Sequence, residues 1–174
     1  LFFTYQALRN WFGGLHAAIG IFPAVLFYAF TQLPDFVHYT SEHFPIAITA
    51  VGLWMLSRKN FQNKAYVLPA FLLGFTLTSI PFGKIQAVPV AAIIGLYGFL
   101  LLSSKQLWKH VGYLILGVIS FLGFTTILLV ANGVLSDFFT YYIQANFQYS
   151  SEGGLVTNIL LMFTQYQYAH DFLL

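Results

Sequence analysis

The chain has 174 residues, of which 59% are hydrophobic and only 7% charged, and its formal net charge is +2. A soluble domain carries about 25% charged residues, and a chain of this length buries too little surface to hide so much apolar area from water. The absence of cysteine excludes a disulfide framework and thiolate chemistry, and no run of basic residues indicates nucleic acid as a partner.

Long apolar blocks follow one another along the chain. A helix needs about 20 mostly apolar residues to cross a membrane. We predict an all-α fold, a polytopic transmembrane bundle of about five to six spans that makes residues 1–174 part of a single transmembrane domain. The chain begins at Leu1, and we expect both ends to be truncations of a larger membrane protein. The predicted spans are 14–33, 42–57, 66–82, 87–103 and 111–131, with 155–170 as a sixth candidate.

Basic residues fall in alternate connections between these spans. Cytoplasmic connections carry an excess of Lys and Arg, so we predict that the first, third and fifth spans run from inside to outside. The inner side then holds six of the seven bases, namely Arg9, Arg58, Lys59, Lys64, Lys105 and Lys109. The outer side holds Lys84 and the acidic, aromatic loops 33–45 and 132–154, where we expect the function to lie.

The first outer loop offers ligands for a divalent metal or for a cation bound to a diphosphate. Asp35, Glu42 and His43 carry carboxylate and imidazole groups, which are competent metal ligands. A structural alternative is that Glu42 complements the positive end of the following helix, with Ser41 as its cap. The spacing leaves both interpretations open.

Lys84 is the one basic residue predicted outside the inner connections. An ammonium group at membrane depth costs about 2.5–3.5 kcal/mol on insertion scales, so such a residue is usually paired or functional. We predict that Lys84 binds a phosphate, that Gly83 allows a close backbone approach, and that Gln86 adds a neutral hydrogen-bond donor. Extension of the lysine side chain to the interface is the alternative.

The segment after the fifth span combines aromatic, amide and acidic side chains. Aromatic faces and polar groups of this kind suit the apolar faces and hydroxyls of a sugar. The same composition suits a helix at headgroup level, which is the simpler interpretation. The candidate contacts to a sugar or acceptor are Asp137, Tyr141, Tyr142 and Tyr149.

Four segments of the chain, taken in sequence order, resemble the middle part of a family of bacterial membrane enzymes. These are the polyprenyl-phosphate-sugar glycosyltransferases of the GT-C fold, the protein-mannosyltransferase and aminoarabinose-transferase group. The likeness extends over about residues 4–152 and lies in apolar spans joined by a short basic turn, an outer Ser-Glu, a Gly-Lys-Ile-Gln connection and an Asn-Gly followed by aromatics. The segments are TYQALRNWFGGLHAAIGIFPAVLFYA, HYTSEHFPIAITAVGLWMLSRKN, LLGFTLTSIPFGKIQAVPVAAIIGLYGFLLL and ANGVLSDFFTYYIQANFQYSSE.

The resemblance implies transfer of a sugar from a polyprenyl-phosphate donor to a glycan, lipid or protein acceptor at the outer face of a bacterial inner membrane. It implies Lys84 as a contact to the donor phosphate, and Glu42 with His43 at a metal or acceptor site. The family's catalytic acidic residue lies in an earlier outer loop, so we expect it outside this chain. A transporter or lipid flippase with Lys84 and Glu42 on its pathway, or a non-catalytic assembly subunit, is the alternative.

Overall fold

The computed structural model describes residues 1–30, 43–63 and 67–145, and over these ranges all regular secondary structure is helical. The prediction of an all-α fold is confirmed. The described α-helices of more than one turn are α1 (Phe2–Phe12), α2 (Gly14–Phe30), α3 (His43–Ser57), α4 (Leu68–Gly83), α5 (Val88–Ser104) and α6 (Trp108–Ala131). Short 3₁₀ turns follow α3 and α4 at Lys59–Gln62 and Ile85–Ala87, and a one-turn helix, Leu135–Asp137, leads into a π-helical segment, Phe138–Gln144.

Each of the five main predicted spans coincides with one helix, α2 to α6, to within three residues at every described end. Both predicted loops include residues that are helical where the structure describes them, and the first of these loops overlaps the predicted span 42–57. Helix α3 begins at His43, inside the predicted loop 33–45, because Pro45 is tolerated in a first helical turn. Residues 135–144 of the predicted loop 132–154 are helical. The candidate span 155–170 lies outside the described residues.

Proline and glycine account for several helix ends. Pro69 and Pro89 occupy the first turns of α4 and α5, where a missing N–H costs no hydrogen bond. Helix α1 ends at Phe12, and the Gly13 that follows has a φ of 88°, which is readily adopted only by glycine. Since only residues 84–87 separate α4 from α5, these two helices form the predicted tight hairpin.

The chain divides into two compact units, Leu1–Thr125 and Thr126–Leu174, and the second is described over residues 126–145. In the first unit, α3, α4, α5 and the beginning of α6 enclose an apolar core. Its most completely buried side chains include Phe61, Leu73, Ile80 and Leu102.

Neighbouring helices of this core run in opposite directions. The Phe44 ring at the start of α3 lies against Gly83 at the end of α4, and Leu73 in the middle of α4 lies against Gly98 of α5. One end of the first unit therefore holds His43, Gly83 and Val88, and we call it the Lys84 end. The opposite end, which we call the basic end, holds Asn10, Ser57, Arg58, Lys59, Asn60, Leu68, Lys105 and Lys109.

Large apolar side chains also cover much of the outside of the first unit. Leu15 is 73% exposed, Ile93 69% and Ile119 59%. Helix α6, with 24 residues, is the one described helix whose length and composition allow it to cross a membrane. The four helices α2 to α5 are apolar but shorter, at 15–17 residues. The prediction of five to six spans therefore stays a prediction.

Candidate functional site

Lys84 occupies the corner between α4 and α5. Its backbone N–H donates to the Ile80 carbonyl at 3.0 Å, and its own carbonyl accepts from the Ala87 N–H at 3.1 Å. The residue is half-buried, with an extended backbone at φ −157°. These two bonds connect Lys84 to the last turn of α4 and to the 3₁₀ turn that precedes α5. The backbone of Lys84 is therefore held where the two helices meet.

The first turn of α3 lies beside this corner. A Cβ added at Gly83 would come within 3.0 Å of Cε1 of Phe44 and even closer to Cδ1, so an aromatic ring occupies the space that the glycine leaves. The sequence predicted that Gly83 would admit a phosphate, whereas the described neighbour is this ring. Because His43 precedes Phe44, two predicted site residues, Lys84 and His43, lie at the same end of the fold.

An apolar groove lies between α4, α5 and α6, and Lys84 is not among the residues that line it. Its volume is about 340 Å³. Pro81 and Val88 contribute to its walls and flank Lys84 in the sequence by three and four residues. The Thr78 hydroxyl in the wall donates to the Gly74 carbonyl at 2.6 Å, so its polar group is already paired. The other residues that line this α4–α5 groove are Gly74, Leu77, Ala91, Ala92, Gly95, Leu96, Leu114 and Val118.

The predicted metal ligands are only partly visible. His43 is half-buried in the first turn of α3, while Asp35 and Glu42 lie outside the described residues. Within residues 1–30, 43–63 and 67–145, no three His, Asp or Glu side chains come together as a metal site. The metal prediction is therefore untested, because two of its three ligands are not described.

The neutral donor predicted beside Lys84 is described only by its backbone. Gln86 belongs to the 3₁₀ turn Ile85–Ala87, immediately after the corner, and its side chain lies outside the described part. Its sequence position keeps it at the Lys84 end. The structure does not test whether its amide reaches the same ligand.

The predicted sugar contacts belong to the second unit. Asp137 is exposed at the start of the π-helical segment, and Tyr141 is 75% exposed. The Tyr142 ring stacks on Phe138, with centroids 5.2 Å apart and planes 19° apart. Tyr149 lies outside the described residues. Of the two described tyrosines, Tyr141 is thus the more accessible to a ligand, whereas Tyr142 packs within its own helix.

The basic end contains a cluster of side chains that the sequence analysis used only to orient the predicted spans. The Arg58 guanidinium lies over the Trp54 ring, 4.8 Å from its centroid, and the Asn10 amide donates to the Ser57 hydroxyl at 2.9 Å. A sequence signal for the first contact existed, because residues four apart on a helix face each other. The second contact joins α1 to α3 and has no such local signal.

No protein-family model, curated protein or solved structure gives a significant match to this chain. The resemblance to GT-C glycosyltransferases therefore stays a prediction.

Proposed function

We propose that the protein is an integral membrane glycosyltransferase that moves a sugar from a polyprenyl-phosphate donor to an acceptor at the outer face of the membrane. The observation that carries this proposal is the position of Lys84 at the corner where α4 and α5 meet, three and four residues from Pro81 and Val88, which line an apolar groove. A cationic residue next to an apolar groove is complementary to a phosphate attached to a hydrocarbon chain.

The surface of the first unit supports insertion in a bilayer. Side chains such as Leu15, Ile93 and Ile119 expose most of their area, and exposed apolar area of this extent is unfavourable in water. The helical backbone pairs its own N–H and C=O groups, as a span in hydrocarbon must, except at the interior prolines Pro23 of α2 and Pro81 of α4, each of which removes one such bond. We infer that α2 to α6 are five spans, with neighbouring bundle helices and interfacial residues accommodating the shorter ones.

The charge distribution supports an orientation in the membrane. Arg58 and Lys59 follow α3 and Lys105 follows α5, so these bases share the basic end, while Lys84 lies at the other end. By the positive-inside rule, the basic end faces the cytoplasm and the Lys84 end faces outward. The family resemblance adds the bacterial inner membrane as the location, with the Lys84 end on the periplasmic side.

The donor would bind with its isoprenoid in the α4–α5 groove and its phosphate at Lys84. Gln86, two residues further on, would supply an additional hydrogen-bond donor. Where a divalent metal takes part, His43 would hold it together with Asp35 and Glu42, since imidazole and carboxylate are suitable ligands. Asp137, Tyr141, Tyr142 and Tyr149 would contact the sugar or the acceptor, which is a glycan, a lipid or a protein.

The proposed reaction is a displacement at the anomeric carbon of the sugar. The acceptor hydroxyl oxygen forms a bond to this carbon, the bond from the carbon to the phosphate oxygen breaks, and the lipid phosphate leaves with the electron pair. A carboxylate, not assigned to a residue of this chain, takes the hydroxyl proton. Lys84 offsets the negative charge that develops on the leaving phosphate, an effect that the low dielectric of the site strengthens.

The test uses the protein reconstituted in vesicles with a radiolabelled polyprenyl-phosphate sugar and a total membrane extract as the acceptor pool. We expect Lys84→Gln to slow label transfer by about 10²-fold or more, because one preorganised electrostatic contact to the reacting group is lost. Lys109→Gln is the matched control, since it removes the same charge at the basic end and should leave the rate unchanged.

Equal transfer by the wild type and Lys84→Gln would remove the assigned role of Lys84. Absence of transfer, together with uptake of the labelled sugar lipid or its soluble analogue into the vesicles, would contradict the glycosyltransferase and favour transport. Empty vesicles with the same extract measure the background of the acceptor pool.

A further inference from the structure

A second apolar groove lies at the basic end, between α3 and α4. Its volume is about 400 Å³, and its walls include Val51, Trp54, Met55, Leu68 and Leu72. From Leu68 to Thr76 it follows α4 over nine residues, and the first and last of them are about 12 Å apart along the axis of an α-helix. This α3–α4 groove has the volume and the length to hold part of a hydrocarbon chain.

The deep part of the groove presents almost no polar group to an occupant. Thr76 lies there, but its hydroxyl donates to the carbonyls of Leu72 and Leu73 at 2.8 and 3.2 Å. Its hydrogen-bonding capacity as a donor is therefore used inside α4. An occupant of this part gains by apolar contact and needs no polar atoms.

The outer part of the groove is polar and positively charged. Arg58 and Asn60 line both the groove and an adjoining pocket of about 290 Å³, whose other walls are Asn10, Ser57 and Lys59. Arg58 and Lys59 are exposed. No Asp or Glu occurs among the described residues of the first unit, so nothing described there offsets these two charges.

Two contacts hold this polar part in shape. The guanidinium carbon of Arg58 lies over the Trp54 ring, a cation–π contact that holds the Arg58 side chain against α3. The Asn10 amide donates to Ser57, whose hydroxyl in turn donates to the Trp54 carbonyl at 2.7 Å. The planar donor of Arg58 is thus ordered before a ligand arrives, and less entropy is lost when it binds an oxyanion.

From these features we propose that the basic end binds an anionic phospholipid, with its phosphate at Arg58 and Lys59 and one acyl chain in the α3–α4 groove. The neighbouring α4 begins at Leu68 in the same wall, and the positive end of its dipole adds to the attraction for an anion. The site lies at the opposite end from Lys84 and does not depend on glycosyl transfer. It rests only on the part of the proposed function that assigns the protein to a membrane.

The chemistry distinguishes this ligand from related ones. A free phosphate ion would satisfy Arg58 and Lys59 but would leave the apolar groove empty. A zwitterionic lipid would fill the groove but would bring a positive charge next to Arg58. An anionic lipid matches both parts, because charge-assisted hydrogen bonds to a phosphate and burial of a chain act on one molecule.

The experiment is native mass spectrometry of the full chain in detergent micelles, titrated with short-chain phosphatidylglycerol, phosphatidylcholine or inorganic phosphate. We expect one phosphatidylglycerol to bind in preference to phosphatidylcholine, and inorganic phosphate to compete only at far higher concentration. Arg58→Gln should weaken phosphatidylglycerol binding by about tenfold, the equivalent of one charge-assisted hydrogen bond. Arg58→Lys keeps the charge but loses the planar donor, so its affinity for phosphatidylglycerol should lie between those of the wild type and Arg58→Gln.

Matched variants separate the site from general charge and folding. Lys109→Gln removes a charge at the same end, outside the two cavities, and should leave binding unchanged. Leu72→Trp should obstruct the groove and reduce lipid binding, whereas Leu116→Trp, on an exposed face of α6, should not. Equal binding of the two lipids, or equal losses with Arg58→Gln and Lys109→Gln, would overturn the proposal. If Lys84→Gln loses glycosyl transfer but still binds phosphatidylglycerol, the proposed lipid site is supported independently of the enzyme activity.

Discussion

Gly74 of α4 and Gly117 of α6 each lie against the backbone of the opposite helix. A Cβ added at Gly74 would collide with the Leu114 carbonyl oxygen, and one added at Gly117 would collide with the Phe71 carbonyl oxygen and lie 2.8 Å from the Phe75 nitrogen. Both glycines are buried. The two helices therefore approach each other as closely as backbone atoms allow, the packing mode that small residues permit in membrane helices.

We expect Gly74→Ala and Gly117→Ala each to destabilise the protein by about 1–3 kcal/mol, because backbone atoms cannot move aside as a flexible side chain can. The thermal unfolding midpoint in detergent measures this effect, at about 2–4 °C per kcal/mol for a chain of this size. Gly112→Ala is the control. Gly112 lies in the same helix with nothing within 4 Å of an added Cβ, so alanine there should leave stability equal or raise it by up to about 1 kcal/mol.

A result in which Gly112→Ala lowers the midpoint as much as Gly117→Ala would contradict the close crossing of α4 and α6. The double variant Gly74→Ala/Gly117→Ala adds a second check. Because both substitutions separate the same pair of helices, their combined effect should be smaller than the sum of the single effects.

These glycines also mark the limit of what the sequence predicts. The helix bounds follow from apolar runs that end at proline, glycine or basic residues, and for this reason the span 87–103 lies within one residue of α5 at each end. Gly112 and Gly117 are equivalent in such a pattern. Of the two, the structure places Gly117 against the backbone of α4, because the rotation of α6 about its axis decides which glycine faces that helix.

In the candidate site, too, one part of the geometry follows from the sequence and another part depends on how the helices pack. That Lys84 and His43 share one end follows from the alternating direction of consecutive helices, which the sequence predicts. The contact of Phe44 with Gly83 does not follow from it, because the separation of α3 and α4 depends on side chains from both. The Arg58–Trp54 pair was detectable from its spacing, whereas the cavity beside it required the positions of both helices.

His110 is the buried polar side chain for which a stability effect can be predicted most directly. It is 2% exposed at the start of α6, and its Nε2 forms a hydrogen bond of 3.0 Å with the Asn63 carbonyl. We expect His110→Ala to destabilise the protein by about 2–5 kcal/mol, because it removes this bond and leaves a cavity in the core. Chemical or thermal unfolding in detergent measures the loss.

His16 is the matched control for His110. It is exposed in α2, so His16→Ala should change the unfolding midpoint by no more than about 0.5 kcal/mol. His110→Asn, which keeps a donor in a smaller side chain, should recover part of the loss. Equal stability of His110→Ala and the wild type would show that the bond to Asn63 contributes nothing measurable.

The contact of Gly83 with Phe44 predicts coupling between α3 and the Lys84 corner. In Gly83→Ala the new methyl group meets the Phe44 ring, so α3 must shift or the ring must rotate away. We expect a loss of about 1–3 kcal/mol in stability, with weaker binding of a short-chain polyprenyl phosphate. Gly123→Ala is the control. Because nothing lies within 4 Å of the added methyl group, this variant should lower neither the stability nor the binding of the polyprenyl phosphate.

A compensating substitution makes this prediction specific. Phe44→Leu shortens the side chain opposite Gly83, so the double variant Gly83→Ala/Phe44→Leu should be more stable than the sum of the single effects predicts. If the two single effects on stability simply add, residues 83 and 44 are not in steric contact. Restored stability without restored phosphate binding would assign to the Phe44 ring itself a part in the ligand site.

The opposite ends of α4 provide the test of the membrane orientation. Because the chain has no cysteine, single variants need no prior removal of native thiols. Lys59→Cys lies before α4 in the exposed 3₁₀ turn, and Lys84→Cys lies after it, so one span separates them. In cells, a membrane-impermeant maleimide should label position 84 from outside and should label position 59 only after the membrane is opened. Lys109→Cys, at the start of α6, should behave like position 59. Labelling of positions 59 and 84 from the same side would exclude α4 as a membrane span, and with it the phosphate site proposed at the outer face.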